Sequence, residues 1–308
     1  MIRYVARRAV YMLITLFVIA SVTFFISKLL PGTPFADDKL TPQIRQQLFE
    51  KYSLDEPVYV QYAKYMLNVA QGDLGASFYF ESRPVLQIIM ERLPISMFIG
   101  VQAVIFGLVI GLVLGIVAAL RHNTLWDTAA VVLAVLGVSV PSFVLGPILQ
   151  VWLGLKLGLF PIALFESWMH SVLPSLALSV FVVSTVARFI RAEMLEVMGQ
   201  DYITLAKAKG LSGLAVIIRH VLRNSMIPLV TVMAPLTVYI ITGSLVIEQI
   251  FAVPGIGDQF VDSIVVSDYS MILGTTLFFS VMFILALLIQ DILYGIIDPR
   301  IRVSGAKE

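Results

Sequence analysis

The chain has 308 residues, of which 59% are hydrophobic and only 13% charged, about half the charged share of a soluble domain. That balance excludes an ordinary soluble protein and places the chain in a bilayer. A net charge of +1 supplies no basic field for nucleic acid, and the absence of cysteine excludes disulfides, thiolate metal sites and cysteine nucleophiles.

Six apolar runs reach the length of about 20 residues that a spanning helix needs. They lie at 9–30, 95–120, 128–155, 172–190, 226–250 and 273–297. The first follows Arg3, Arg7 and Arg8 but is too long for the core of a signal peptide, and no small-x-small cleavage site follows, so it is read as retained. The segment 31–94 reads as a folded outer cap. Thr41 as N-cap and Pro42 at the first helical position open a helix to Tyr52. Asp55-Glu56-Pro57 opens a second, to Gln71, which stops at Gly72. Pro84 opens a third, Val85 to Arg92, interrupted at Pro94. Between them Ser77-Phe78-Tyr79-Phe80 is apolar and β-prone. Such a cap either covers an outer mouth or docks what delivers a solute.

In the second span Gly107, Gly111 and Gly115 recur every four residues, a close-packing stripe. Pro141 and Pro147 kink or break the third span, and Ser139 beside Pro141 would expose backbone carbonyls to a cavity there. The fourth span is short and ends at Arg188. Glu248 is an intramembrane charge near the end of the fifth span and a functional candidate on that ground. It could line a path, pair across a subunit interface, anchor an outer gate, or simply reach interfacial water. Basic residues mark one set of span ends: Arg3, Arg7 and Arg8; Arg121; Arg188, Arg191, Lys207, Lys209, Arg219 and Arg223; Arg300, Arg302 and Lys307. Both termini are therefore expected in the cytoplasm.

From Arg191 to Ser225 the chain reads as too polar to span. Asp201 is the expected N-cap of a short helix with apolar Ile203, Leu205 and Ala206. Lys207 and Lys209 fall in its last turn, where the helix dipole favours cations. Gly210 stands where a left-handed residue ends a helix. Ser212 then caps a second helix, Gly213 to Asn224, leading into the fifth span at Pro228. The result is a knob with a sharp glycine corner. The lysines alone would also suit an amphipathic helix on anionic lipid, which leaves the corner without a purpose.

The run Asp201-Tyr202, Ala206-Lys207-Ala208-Lys209-Gly210-Leu211, Arg219-His220-Val221-Leu222-Arg223-Asn224 and Ile227-Pro228 resembles the cytoplasmic loop of importer-type ABC transporter permeases, in their dipeptide/oligopeptide branch. Of the general loop pattern E-A-A-x-x-x-G-x9-I-x-L-P, only Ala206, Gly210 and Leu222 match. Tyr4, Arg7-Arg8, Pro31-Gly32, Gly72-Asp73-Leu74-Gly75 with Ser77, Glu248 to Phe251 with Pro254 to Gly257, and Asp298-Pro299-Arg300 extend the similarity over essentially the full length. The long outer segment is similar to that of the B-type subunit of the branch.

The resemblance implies an all-α polytopic permease with six transmembrane helices and a small helical extracytoplasmic cap, in a bacterial or archaeal inner membrane. Its regions would be 1–30 with the first span, a cap over 31–94, and a permease core over 95–308 that includes a coupling segment, 191–225. It implies a homologous second permease, two P-loop ATPases, an extracytoplasmic solute-binding protein and surrounding lipid as partners. The solute would be oligopeptides or dipeptides, with nickel or another small solute the alternative. Tyr202, Ala206, Ala208, Gly210 and Leu211 would shape the knob, and Lys207, Lys209, Arg219 and His220 its polar side. ATP and magnesium would sit on the partners, with no cofactor on this chain.

Other chemistries find little support. No G-x-x-x-x-G-K-[ST] run is present, so the chain is not expected to hydrolyse ATP itself. Gly255-Ile256-Gly257-Asp258 matches an intramembrane aspartyl protease signature. Its second aspartate could only be Asp291, at the opposite end of a bilayer core about 30 Å thick. His122, His170 and His220 lack metal-ligand spacing. A transporter driven by an ion gradient would place ionisable groups near the midplane, and almost none lie there.

Overall fold

The computed structural model describes residues 2–29, 42–241 and 244–297. Among them no strand forms. The helices are α1 (Ile2–Leu29), α2 (Pro42–Lys51), α3 (Val58–Ala70), α4 (Val85–Leu120), α5 (Leu125–Ser139), α6 (Ser142–Leu149), α7 (Val172–Met198), α8 (Asp201–Ala208), α9 (Gly213–Val216), α10 (Arg223–Ile241), α11 (Leu245–Ile250), α12 (Ile256–Val265) and α13 (Tyr269–Ile297). A π-helical stretch, Gln150–Lys156, continues α6, and another, Ile217–Leu222, joins α9 to α10. Six stretches among the described residues are long and apolar enough to cross a membrane: Val10–Leu29, Val85–Leu120, Trp168–Met198, Gly213–Val230, Val232–Ile250 and Tyr269–Ile289.

The chain divides into two packed units. The first comprises Met1–Pro94 and Gly255–Ile284. Its core is Val85, Ile88 and Ile89 of α4 with Ile256 and Met271, ringed by Leu74, Phe80, Leu93, Phe278 and Phe279. Gly72 has φ +80° and ends α3 where expected. The β-prone Ser77–Phe80 stretch forms turns instead, because side chains capture its backbone. Ser77 Oγ accepts from Phe80 N–H at 2.9 Å and donates to Asp268 Oδ2. Asp268 Oδ2 also accepts from Tyr79 N–H at 3.3 Å, and its Oδ1 takes Met271 N–H at 3.2 Å, capping α13. Ser77 and Asp268 are both buried, and these bonds satisfy the carboxylate. Among the described residues, the only pairing left is an isolated antiparallel bridge, Ala76 to Pro84.

The second unit comprises Ile95–Pro254 and Leu285–Glu308. It is built on α7, whose Val182, Val186, Ile190 and Met194 are buried against Ala103 and Val104 of α4 and Leu229, Met233 and Ile240 of α10. The glycine stripe of α4 meets α7 directly. A Cβ added at Gly107 would lie 2.3 Å from Val182 Cβ, one at Gly111 2.7 Å from Val186 Cβ, and one at Gly115 2.7 Å from the Ala187 carbonyl. Only hydrogen fits between these backbones.

Several sequence expectations need correction. Pro94 does not interrupt its helix, since α4 runs through it from Val85 to Leu120. Pro147, Pro228 and Pro235 likewise sit inside helices. Membrane helices tolerate the lost bond because the surroundings can re-satisfy the freed carbonyl. The break at Pro141 is real and larger than a kink: α5 meets α6 at 103°, so 128–155 is no straight span. Proline pushes the preceding residue out of the helical region, and Val140 is extended at φ −91°, ψ 114°. The fourth span does not end at 190, since α7 continues to Met198. The fifth divides into α10 and α11, with Ser244 Oγ accepting from Ile247 N–H at 3.3 Å to start α11. Residues 213–225 are not a separate polar piece. They form one helical path with α10, from Gly213 to Ile241. At about 1.5 Å per residue that path is longer than a bilayer core, so one end projects beyond it. Thr41, Pro31-Gly32 and Asp298-Pro299-Arg300 lie outside the described residues.

Candidate functional site

The glycine corner is built from two helix ends. The structure gives α8 a different N-cap from the expected Asp201: Gln200, with extended φ −80° and ψ 148°, holds that position, and Asp201 is the first helical residue. There its charge still complements the positive end of the helix dipole. At the other end, Gly210 adopts φ +81°. Gly210 N–H donates to the Lys207 carbonyl at 3.0 Å and Leu211 N–H to the Ala206 carbonyl at 3.4 Å. This pair of bonds is the Schellman motif, which requires a left-handed residue at the glycine position. Ser212 Oγ then accepts from Ala215 N–H at 3.3 Å, starting α9.

One face of the corner is fixed and the other is open. Ile203 and Ala206 are buried with Met194, Val216 and Val221, so α8 rests on the end of α7. Tyr202, Leu205, Leu211, Leu214 and Ile218 are exposed apolar groups. Lys207, Ala208, Lys209 and Arg219 are exposed around them, and His220 is half-buried. Tyr202 is tied back to α10, its Oη accepting from Asn224 Nδ2 at 3.2 Å. The arrangement is an apolar protrusion with a cationic rim, presented by a rigid base. Leu214 and Ile218 were not among the sequence candidates. Their spacing of four, just after the Ser212 cap, was the signal that could have found them.

The base is clamped by a charge pair that the sequence reading also missed. Asp127, in the first turn of α5, is only 4% exposed. Arg191 of α7 reaches it with Nε at 2.6 Å from Oδ1 and Nη2 at 2.9 Å from Oδ2. Asn123 N–H donates to Oδ2 at 3.0 Å, and His122 Nδ1 lies 3.1 Å from the same oxygen. Arg191, taken from sequence as a basic marker, together with His122 therefore ties the α4–α5 turn to α7 shortly before α8.

The other candidates fall elsewhere in the chain. Ser139 and Pro141 flank the 103° bend, both exposed, with Ser139 Oγ donating to the Val135 carbonyl at 2.9 Å. Glu248 lies in α11 and is 1% exposed, so it does not reach interfacial water from the end of a span. Its helix ends in a second Schellman turn: Val253 N–H donates to the Glu248 carbonyl at 2.9 Å, and Ala252 holds φ +49°. Phe251 packs on α6, where a Cβ at Gly146 would lie 3.2 Å from its ring. Asp258, of the protease-like motif, sits in the first turn of α12, 3.5 Å from Arg92. No cluster of His, Asp or Glu suited to a metal exists among the described residues.

Residues 111–303 match the family described as the binding-protein-dependent transport system inner membrane component, and residues 1–100 match the N-terminal membrane component of such systems. The chain belongs to this family of transport permeases. It is a multi-pass integral membrane subunit of an ABC transport system. The permease is 44% identical to the dipeptide transport system permease protein DppB of Lactococcus lactis, over 98% of this chain and 100% of that protein. It is 43% identical to the protein of that name in Bacillus subtilis, covering 98% and 99%. The oligopeptide transport system permease protein OppB of Haemophilus influenzae is 38% identical over 98% and 100%. Among solved structures, an inward-facing methionine ABC transporter matches with a TM-score of 0.55 at 15% identity, over 70% of the permease and 99% of that chain. An amino acid ABC transporter crystallised with histidines matches at 0.52 and 13%, covering 70% and 94%. These two establish the shared fold alone.

Proposed function

We propose that this permease forms one half of the translocation path of an importer of dipeptides or oligopeptides, and that the corner at 201–212 docks a separate ATPase. The observation that carries the docking is the exposed apolar protrusion of Tyr202, Leu205, Leu211, Leu214 and Ile218, held by a Schellman turn on the end of α7. A lipid-surface helix would turn its apolar side down and its lysines up, with no need of a corner. The peptide assignment rests on the names of the relatives, at up to 44% identity over nearly the whole chain.

In this reading two ATPases close on ATP and carry the corners of this chain and a homologous second permease with them. The clamp of Asp127 on Arg191 passes that motion into α4, α5 and α7 as rigid-body movement. ATP drives transport only because the two end states differ in affinity for nucleotide and for the loaded binding protein. The excess of Lys and Arg on the corner side supports a cytoplasmic position for it and for both termini. The segment 31–94 then faces the binding protein. Chemistry on ATP and magnesium belongs to the partner, and this chain holds neither.

The test is affinity purification of this chain in mild detergent, expressed with its neighbouring genes, followed by identification of bound proteins and an ATPase assay. Recovery of a second permease and P-loop ATPases, lost when Leu205 and Leu211 are both changed to Asp, supports the assignment. Recovery of the chain alone, without ATPase activity, refutes it.

A further inference from the structure

The first unit contains a cavity of about 290 Å³ that the transport reading leaves unused. It lies between the end of α1 (Phe24, Lys28), α3 (Gln61, Tyr65) and the start of α13 (Tyr269). We infer that this cavity binds the phosphate group of a membrane phospholipid, with Lys28 as the cation and Tyr65 as the hydroxyl donor.

The position of Lys28 is built rather than incidental. Gln61 Nε2 donates to the carbonyls of Leu54 at 3.1 Å and Glu56 at 2.7 Å. Both amide hydrogens are thereby spent, and Oε1 is turned toward Lys28 Nζ at 2.5 Å. The ammonium has three hydrogens, and this bond uses one. The rings of Phe24 and Tyr269 lie at 5.4 and 5.8 Å. Among the described residues no carboxylate pairs with Lys28, whereas the nearby Lys64 is matched by Glu56 at 2.6 Å. Asp73 also lines the cavity, but its Oδ1 accepts Gly75 N–H at 2.8 Å. Tyr65 Oη is buried and, among the described residues, has no hydrogen-bond partner. Burial, and then Tyr62, push its phenol up to about 12, so it remains a donor. Among the described residues, a half-buried cation with hydrogens to spare and an orphaned hydroxyl share one cavity, and together they call for an oxyanion.

The source of that oxyanion follows from location. Lys28 is in the last turn of α1, at the end of the apolar stretch Val10–Leu29, which is headgroup depth. On the adjoining face of α1, Val22, Phe25, Ile26 and Leu29 are exposed, a surface suited to acyl chains. The volume is near the lower end of small-molecule sites, about 300–1,000 Å³, enough for a headgroup but not a whole lipid.

The assembled transport complex in lipid nanodiscs is photolabelled with a phosphatidylglycerol carrying a diazirine near its phosphate, and labelled peptides are mapped. Label is expected on Val22–Leu29 and on α3. Lys28→Gln should reduce it about fivefold, and Lys28→Arg should restore it. Tyr65→Phe removes one hydroxyl and should reduce it too, which keeps the test usable if Lys28→Gln fails to assemble. Unchanged labelling in both Lys28→Gln and Tyr65→Phe overturns the site. Loss of label on adding inorganic phosphate alone would keep a phosphate site but overturn the lipid as its source. Loss on adding a peptide, and not on adding phosphate, overturns both.

Discussion

Substituting Gly210 tests the corner with little risk to the rest of the fold. No atom lies within 4 Å of the place a Cβ would occupy, so a side chain there meets open space. The cost is confined to the backbone: roughly 1–2 kcal/mol for an ordinary residue at positive φ, and more for β-branched valine. Holding the corner are the bonds of Gly210 and Leu211 at 3.0 and 3.4 Å and the Ser212 cap at 3.3 Å. At about 0.5–1.5 kcal/mol net per bond, and with two of the three long, the strain is comparable to the restraint. Valine should therefore empty most of the native corner population and lower uptake about tenfold, since about 1.4 kcal/mol is a factor of ten. Alanine should fall between, and asparagine, which tolerates the left-handed region, should stay near wild type. Peptide uptake and ATP hydrolysis in the same proteoliposomes, at matched permease content, give the readout, and the thermal midpoint of the complex should barely move. Wild-type uptake by Gly210→Val, or equal damage from asparagine and valine, would refute the reasoning.

Four further outcomes are expected. Asp127→Ala strands Arg191 and should cost about 3 kcal/mol, the low end for a broken buried pair because Arg191 is 27% exposed. Adding Arg191→Leu should recover part of that loss, and an unshifted melt in the single variant would show that the pair holds nothing. Gly107→Ala forces a methyl onto Val182 and should destabilise by about 1–3 kcal/mol, seen as a lower melting midpoint in detergent. Ala252→Gly relieves a left-handed alanine at φ +49° and should stabilise by up to about 1 kcal/mol; no gain would mean that Ala252 carries no strain. Burial, and then the charge of Asp262, raise the Asp258 carboxyl above its ordinary value despite Arg92. The native state then holds a proton that the unfolded chain releases, so stability should fall as pH rises from the ordinary to the raised value. Asp258→Asn should flatten that slope, and an unchanged slope would reject the assignment.

The sequence revealed what depends on local chemistry and concealed what depends on distant partners. Gly210, Ser212 and Gly72 were legible because a left-handed turn or a helix cap is dictated by the residue itself. The Gly107, Gly111 and Gly115 stripe was legible because small residues at helical spacing have one main use in a membrane. Asp127 and Arg191 stand 64 positions apart, and no periodicity links them. Ser77 looked like strand because its neighbours are apolar and aromatic, whereas Asp268, far along the chain, decides its conformation. Proline misled at Pro94, where the rule from soluble helices fails, and served well at Pro141.

The bend at Pro141 has a consequence for how the permease is made. At about 1.5 Å per residue, the 15 residues of α5 reach only about 22 Å. The 8 residues of α6 with the 7 of its π-helical continuation reach no further. Neither arm alone bridges a hydrocarbon core of about 30 Å. Both arms pack on α7, which also bonds to α5 through Arg191 on Asp127 and the Ser184 hydroxyl on the Ala134 carbonyl. Yet α7 begins at Val172, after both arms have left the ribosome's active centre. The insertion machinery must therefore hold an incomplete hairpin until the next helix arrives, so membrane entry is cooperative across three segments rather than sequential.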